Sequence, residues 1–127
     1  MDELKRDQLD HIKSQISFDD FEKLDMRVAE VLSAKEAQGA RKPSRVFELD
    51  LGSFGTRQAV GQYMLVPEED LVGKKVVVCC NLGTRKMGRY KSEVLVMGVP
   101  HPDSPEDQNQ ALPITVPIRA KNGDRIF

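Results

Sequence analysis

Phe47-Glu48-Leu49-Asp50-Leu51-Gly52-Ser53-Phe54-Gly55-Thr56-Arg57-Gln58-Ala59-Val60-Gly61-Gln62-Tyr63 alternates apolar and charged residues, breaks at a glycine-flanked turn and resumes as a second extended run. Phe47, Leu49 and Leu51 share one face and Glu48 and Asp50 the other, the period of two that marks a half-buried strand. Gly52 to Gly55 is the turn of a hairpin whose partner strand is Thr56 to Tyr63. Upstream, Leu24, Met26 and Val28 alternate with Asp25 and Arg27, but the alternation fails at Glu30 and resumes with Val31 and Leu32 on both faces. One long strand bent at a bulge accounts for the change of phase. Downstream, Val76–Cys80 and Val94–Val99 are apolar or small throughout. A strand of a small barrel has only one face inside, so the second face of both runs is expected to be covered too.

The remaining segments are minor. Pro67 to Leu71 reads as a short helix with Pro in its first turn and Gly73 beyond its end. Ser17 stands three residues before Asp20, a capping pattern for one helical turn. Residues 1–15 read as a helical extension, with Asp2 and Glu3 at its start, Lys13 near its end and a thin apolar stripe of Leu4, Leu9, Ile12 and Ile16. The tail carries Pro100, Pro102, Pro105, Pro113 and Pro117, with an edge strand expected at Leu112–Ile118. A long bent strand, a hairpin, a small helix and two more strands predict an all-β domain over residues 16–127. Its expected architecture is an OB-fold, a five-stranded Greek-key barrel with short accessory helices.

At 127 residues, with 39% hydrophobic and 31% charged residues, the chain has the size and composition of one globular domain. No run approaches ~20 apolar residues and the N-terminus lacks the apolar core of a signal peptide, so no membrane insertion and a cytoplasmic location are expected. Cys79 and Cys80 are adjacent, and neighbours in a strand point to opposite faces, which predicts two small buried residues rather than a disulfide. Zinc-ligand spacings, a nucleophile elbow and a P-loop are all absent. His11 and His101 stand alone, and the acidic pairs Asp19-Asp20 and Glu68-Glu69 suit helix starts. No catalytic residue, metal or cofactor is expected, and the chain does not read as an enzyme.

Net charge is −1, but its distribution is uneven. Asn81 to Ser92 holds four basic residues, one aromatic and no acid. Such a segment contacts phosphates through its cations and stacks a base on Tyr90, or else it is a solvated connector. Arg41-Lys42-Pro43-Ser44-Arg45 is a second basic patch, and an OB barrel carries these two loops on the same side. Aromatics are only 6% of the chain and Trp is absent, which argues against a long single-strand stacking platform and for a folded RNA.

Several segments in order carry a family resemblance. They are Phe18-Asp19-Asp20-Phe21 with Lys23-Leu24-Asp25-Met26-Arg27, Ala40-Arg41-Lys42-Pro43-Ser44, Glu48-Leu49-Asp50-Leu51-Gly52, Gly73-Lys74-Lys75-Val76-Val77, Asn81, and Ser92-Glu93-Val94-Leu95-Val96-Met97-Gly98. The chain resembles the tRNA-binding domain family, found at the C-terminus of some methionyl-tRNA synthetases and in free-standing proteins of the CsaA type. The resemblance implies an OB-fold, a homodimer, tRNA as partner, and a chaperone role toward unfolded or secretory polypeptides. It further implies that Asn81 ends the fourth strand beside the ligand face and that Arg85 and Lys86 lie in the basic loop after it. Ser92 would start the last barrel strand, and Gln62 would match the Gln of a Ser-Ala-Gln segment. With Arg41 and Lys42, these are the expected RNA-binding residues. Two departures stand out: Ala59-Val60-Gly61-Gln62-Tyr63 lacks two hydroxyls of the family pattern, and Gly83-Thr84 replaces a Pro-Pro, which predicts a looser loop. Two function classes follow, an RNA-binding module and a peptide-binding export chaperone with an apolar surface near a dimer seam.

Overall fold

The computed structural model describes residues 11–127. Strand β1 (Met26–Glu36) organises the barrel because its two halves serve different neighbours. Met26–Glu30 pairs antiparallel with β4 (Lys75–Cys79), and Glu30–Glu36 pairs antiparallel with β2 (Arg45–Asp50). The register slips between Val31 and Ser33, next to the place where the sequence loses its alternation. β2 continues into β3 (Thr56–Gly61), in register from Arg45–Gly61 to Asp50–Thr56, across a short 3-10 turn at Gly52–Phe54. Phe47 and Leu49 on β2, Ala29 and Val31 on β1, and Val76 and Val78 on β4 meet in one core. The Phe47 ring stands edge-on to Tyr63, with ring centroids 5.6 Å apart.

β3, the edge of this sheet, is joined in a seam to residues 91–93, just ahead of Leu95–Val96, which pairs with β4. The Gln58 amide N–H donates to Glu93 Oε1 at 2.8 Å, and the Glu93 N–H donates to the Gln58 carbonyl at 2.8 Å. The Lys91 N–H donates to Gln58 Oε1 at 2.8 Å, and the Val60 N–H to Ser92 Oγ at 3.1 Å. Three of these four bonds end on a side chain rather than on a ladder carbonyl. Gln58 Nε2 also donates to Glu48 Oε2 at 3.0 Å, which fixes the amide across β2.

The two apolar runs behave differently. β4 is buried from Val76 to Cys79, as a strand covered on both faces must be. Val94–Val99 is not one covered strand, contrary to expectation: Leu95 and Val99 remain 45% and 47% exposed. The run breaks because Gly98 passes against Tyr63, where an added Cβ would meet Tyr63 Oη at 2.5 Å and the Leu112 carbonyl oxygen at 2.7 Å. Pairing therefore changes from β4 to a new partner. The expected edge strand at 112–118 is likewise split, one piece pairing with residues 98–100 and the other, Thr115–Val116, with β4. The final residues run along the remaining edge of β1, with the Gly123 N–H donating to the Val28 carbonyl and the Ile126 N–H to the Met26 carbonyl.

Helix α1 (Phe18–Glu22) has Ser17 as its cap, whose Oγ accepts from the Asp20 N–H at 3.2 Å. Helix α2 (Glu68–Leu71) starts after Pro67 and buries Leu71 in the core. Of the N-terminal helix expected over 1–15, residues 1–10 lie outside the described residues, and His11–Gln15 is not helical. Among the described residues no helix is long and apolar enough to cross a membrane.

Candidate nucleic-acid interface

The basic stretch after β4, which reads as a loop in the sequence, contains a hairpin. β5 (Arg85–Met87) pairs with β6 (Tyr90–Ser92) across Gly88-Arg89. Gly88 has φ +62°, the left-handed backbone that a two-residue hairpin turn needs at its first position. Strand alternation sends Arg85, Met87 and Tyr90 to one face and Lys86 and Lys91 to the other. Lys86 and Lys91 are direct cross-strand partners. Like charges in that position repel and weaken the hairpin, and an anion lying over them relieves the repulsion.

Facing the hairpin is the loop of residues 37–44. Its base is closed by the Ala37 N–H, which donates to the Ser44 carbonyl at 2.8 Å, and Ser44 Oγ donates to the Lys42 carbonyl at 2.9 Å. From below, Gln110 Nε2 donates to the Pro43 carbonyl at 2.8 Å while its Oε1 accepts from the Met64 N–H at 2.8 Å. The Gln38 N–H donates to Tyr90 Oη at 3.1 Å and ties this loop to the hairpin. Between the two lies a groove of about 620 Å³, with Arg41, Lys42, Gln62, Arg85, Met87 and Tyr90 among its lining residues. Residues 37–44 and 81–92 together carry six basic side chains and no acid. Arg41, Arg85 and Lys86 form no ion pair among the described residues, so their charge faces outward uncompensated.

The expected site residues separate into groups. Arg41, Lys42, Gln62 and Arg85 converge on the groove. Lys86 sits on the opposite face of the hairpin, beside Lys91. Ser92 is occupied in the seam, accepting from Val60 and donating to the Val94 carbonyl at 3.3 Å. Asn81 pins the start of β1: its Oδ1 accepts from the Asp25 N–H at 2.9 Å and its Nδ2 donates to the Lys23 carbonyl at 2.6 Å. Arg45, which belongs to the basic patch in the sequence, is instead 8% exposed. Its guanidinium donates to the carbonyls of Ala34, Tyr63 and Val66 at 2.9, 3.2 and 3.0 Å. Gln110 and the Tyr90–Gln38 tie have no signature in the sequence, because an isolated Gln in a proline-rich tail and a Tyr in a polar run carry no period.

Elsewhere the polar groups are structural. His101 Nδ1 accepts from the Asp103 N–H at 3.1 Å and stabilises a turn. The hydrogen bond from Lys35 at 2.8 Å holds the exposed Glu68 carboxyl below its ordinary pKa. Burial, followed by the nearby Asp25 charge, pushes the Cys80 thiol up. Among the described residues no group of three His, Cys, Asp or Glu side chains is placed to hold a metal ion.

Residues 26–125 match the family model described as putative tRNA binding domain. The chain is 39% identical over 103 residues to methionine–tRNA ligase of Thiobacillus denitrificans, covering 80% of this chain and 15% of that enzyme. It is 43% identical over 86 residues to the same ligase of Lactococcus lactis, covering 65% of this chain and 13% of that enzyme. The chain thus spans only a small fraction of the length of these relatives. Among solved structures it is similar to the chaperone CsaA of Bacillus anthracis, with TM-score 0.77, 30% identity, and 90% of this chain and 100% of that one covered. A MetRS-related protein from Pyrococcus horikoshii shares the fold at TM-score 0.74 and 24% identity, over 91% of this chain and 100% of that one.

Proposed function

Because the chain belongs to the putative tRNA-binding domain family, we propose that it is a non-catalytic, cytoplasmic binder of folded tRNA-like RNA, acting through the face built by residues 37–44 and 81–92. The observation that carries this reading is the convergence of two acid-free basic segments on one groove, locked together by Tyr90 and Gln38. Cations such as Arg41 and Arg85, which form no ion pair among the described residues, suit phosphates, and phosphates position an RNA without revealing its sequence. Arg41, Lys42 and Arg85 act within the groove and Lys86 on the outer face of the hairpin. Asn81 and Ser92 act by holding the face in shape. Filter binding of bulk tRNA to the Arg85→Ala/Lys86→Ala variant across a salt series tests this. Affinity should fall for all tRNAs alike, and the slope of log affinity against log salt should flatten by roughly 0.7–0.9 for each phosphate no longer neutralised. Unchanged affinity and slope would make the hairpin a solvated connector.

A second reading has its own observation. Leu95, Val99 and Ile114 remain exposed on the short strands and links beyond β4, and Ile118 is 67% exposed. This apolar rim suits the seam of a homodimer or an unfolded polypeptide, which is where a chaperone activity would reside. Light scattering at micromolar concentration separates the two. A dimer that dissociates on Ile118→Lys assigns the rim to self-association, and a monomer that binds unfolded polypeptide assigns it to clients.

A further inference from the structure

We infer that the groove between the 37–44 loop and the hairpin receives one unpaired base of the RNA, adenine foremost, with Gln62 reading its edge; this rests on the RNA-binding reading above. Phosphate contact alone needs only exposed cations on a convex surface. The structure instead has a concavity of about 620 Å³, within the range of roughly 300–1,000 Å³ typical of small-molecule sites. Its lining mixes apolar and aromatic surface from Val60, Met87 and Tyr90 with the cations of Arg41 and Arg85. That is a floor for a flat ring and a rim for the phosphates on either side of it. Tyr90 is half-buried, and the bond from the Gln38 N–H to its hydroxyl fixes its ring in place. A pre-positioned ring stacks a base at little cost in side-chain entropy.

Gln62 supplies the polar reader. It is half-buried and lines the groove, and among the described residues its side-chain amide has no intrachain hydrogen-bond partner. Its main-chain carbonyl accepts from the Ala111 N–H at 2.8 Å, so the backbone beneath the amide is anchored. A half-buried amide with a free donor and a free acceptor side by side matches the adjacent amino donor and ring-nitrogen acceptor of adenine. In a paired RNA helix these edges are hidden or lie in a groove too narrow for side chains, so the base must come from a loop or an end.

The test uses two RNA hairpins with the same stem, one with a loop of four adenosines and one with four abasic sites. Both carry the same phosphates, so only the bases differ. The intact protein is expected to bind the adenosine loop on the order of tenfold more tightly, the scale of one stacked base. Gln62→Ala should narrow that ratio several-fold while leaving affinity for the abasic hairpin and the salt slope unchanged. Gln62→Glu, with acceptors only, should lose the adenosine loop while gaining relative affinity for a guanosine loop, whose edge presents two N–H donors. That is a reversal no loss of stability produces. Equal binding of adenosine and abasic hairpins by the intact protein overturns the base pocket and leaves RNA binding standing. Binding of neither hairpin, nor of bulk tRNA, overturns both.

Discussion

β3 and the residue just beyond it present two glutamines four positions apart, Gln58 and Gln62, to very different surroundings. At Gln58 both ends of the amide are bonded, to the Lys91 N–H and to Glu48, and the residue holds the barrel shut. At Gln62 the amide is unbonded among the described residues and faces the groove. Arg41, within the 37–44 loop, and Arg45, at the start of β2, divide the same way. Arg45 gives its guanidinium to three main-chain carbonyls in the interior, while Arg41 keeps its charge for solvent or a ligand. Residue type therefore does not distinguish a strut from a contact in this chain. What distinguishes them is whether the polar atoms already have partners.

The largest effect should come from Arg45→Ala. Three buried or partly buried carbonyls would lose a charged donor, a destabilisation of about 3 kcal/mol and on the order of 10 °C in Tm by thermal melting. RNA affinity and its salt slope, measured well below that transition, should be unchanged. A flattened slope would move Arg45 among the RNA-binding residues and erase its contrast with Arg41.

Gln58→Ala comes next, at about 1–2 kcal/mol in urea unfolding, because two hydrogen bonds disappear and the Lys91 N–H is left without its acceptor. Gln62→Ala should stay within about 0.5 kcal/mol of the parent, as befits a side chain without hydrogen bonds among the described residues. Equal destabilisation by the two would break the contrast. The smallest effect concerns Cys80. Its thiol is pushed up by burial, so the unfolded chain ionises at lower pH than the folded one. Stability should decline slightly as pH rises through the ordinary thiol range near ~8.5, and alkylation should be slower than for a free thiol. A Cys80 that alkylates as fast as a model thiol would show the site to be more open than its burial implies.

Much of the barrel is legible in the sequence because its long strands have one wet face. The alternation of Phe47, Leu49 and Leu51 reports β2 directly, the phase change at Glu30 reports the bulge beside Val31, and Ser17 reports the start of α1. The hairpin at 85–92 is not legible, since its three-residue strands bury no apolar side chain fully and so carry no hydrophobic period. Val94–Val99 misleads because apolar residues continue straight through a change of partner that only Gly98 marks. At the candidate site, the basic segments are visible as composition. That Arg45 is internal and that Ser92 and Asn81 are bonded within the chain depend on long-range partners, and that Lys86 turns away from the groove depends on the register of a hairpin without a hydrophobic period.

The seam that closes the barrel also bears on the order in which the chain assembles. The partners in its side-chain bonds are 32 to 35 residues apart, whereas β2 and β3 are joined by a tight local turn. Closing so long a segment costs chain entropy that only the completed sheet offsets, so the β2–β3 hairpin forms before the seam. Weakening the seam by Gln58→Ala or Glu93→Ala should therefore accelerate unfolding and leave the folding arm of a chevron almost unmoved. The amide protons of Val60 and Lys91 should exchange with deuterium ahead of those in the β1–β2 ladder, making the edge beside the hairpin the first part of the barrel to open.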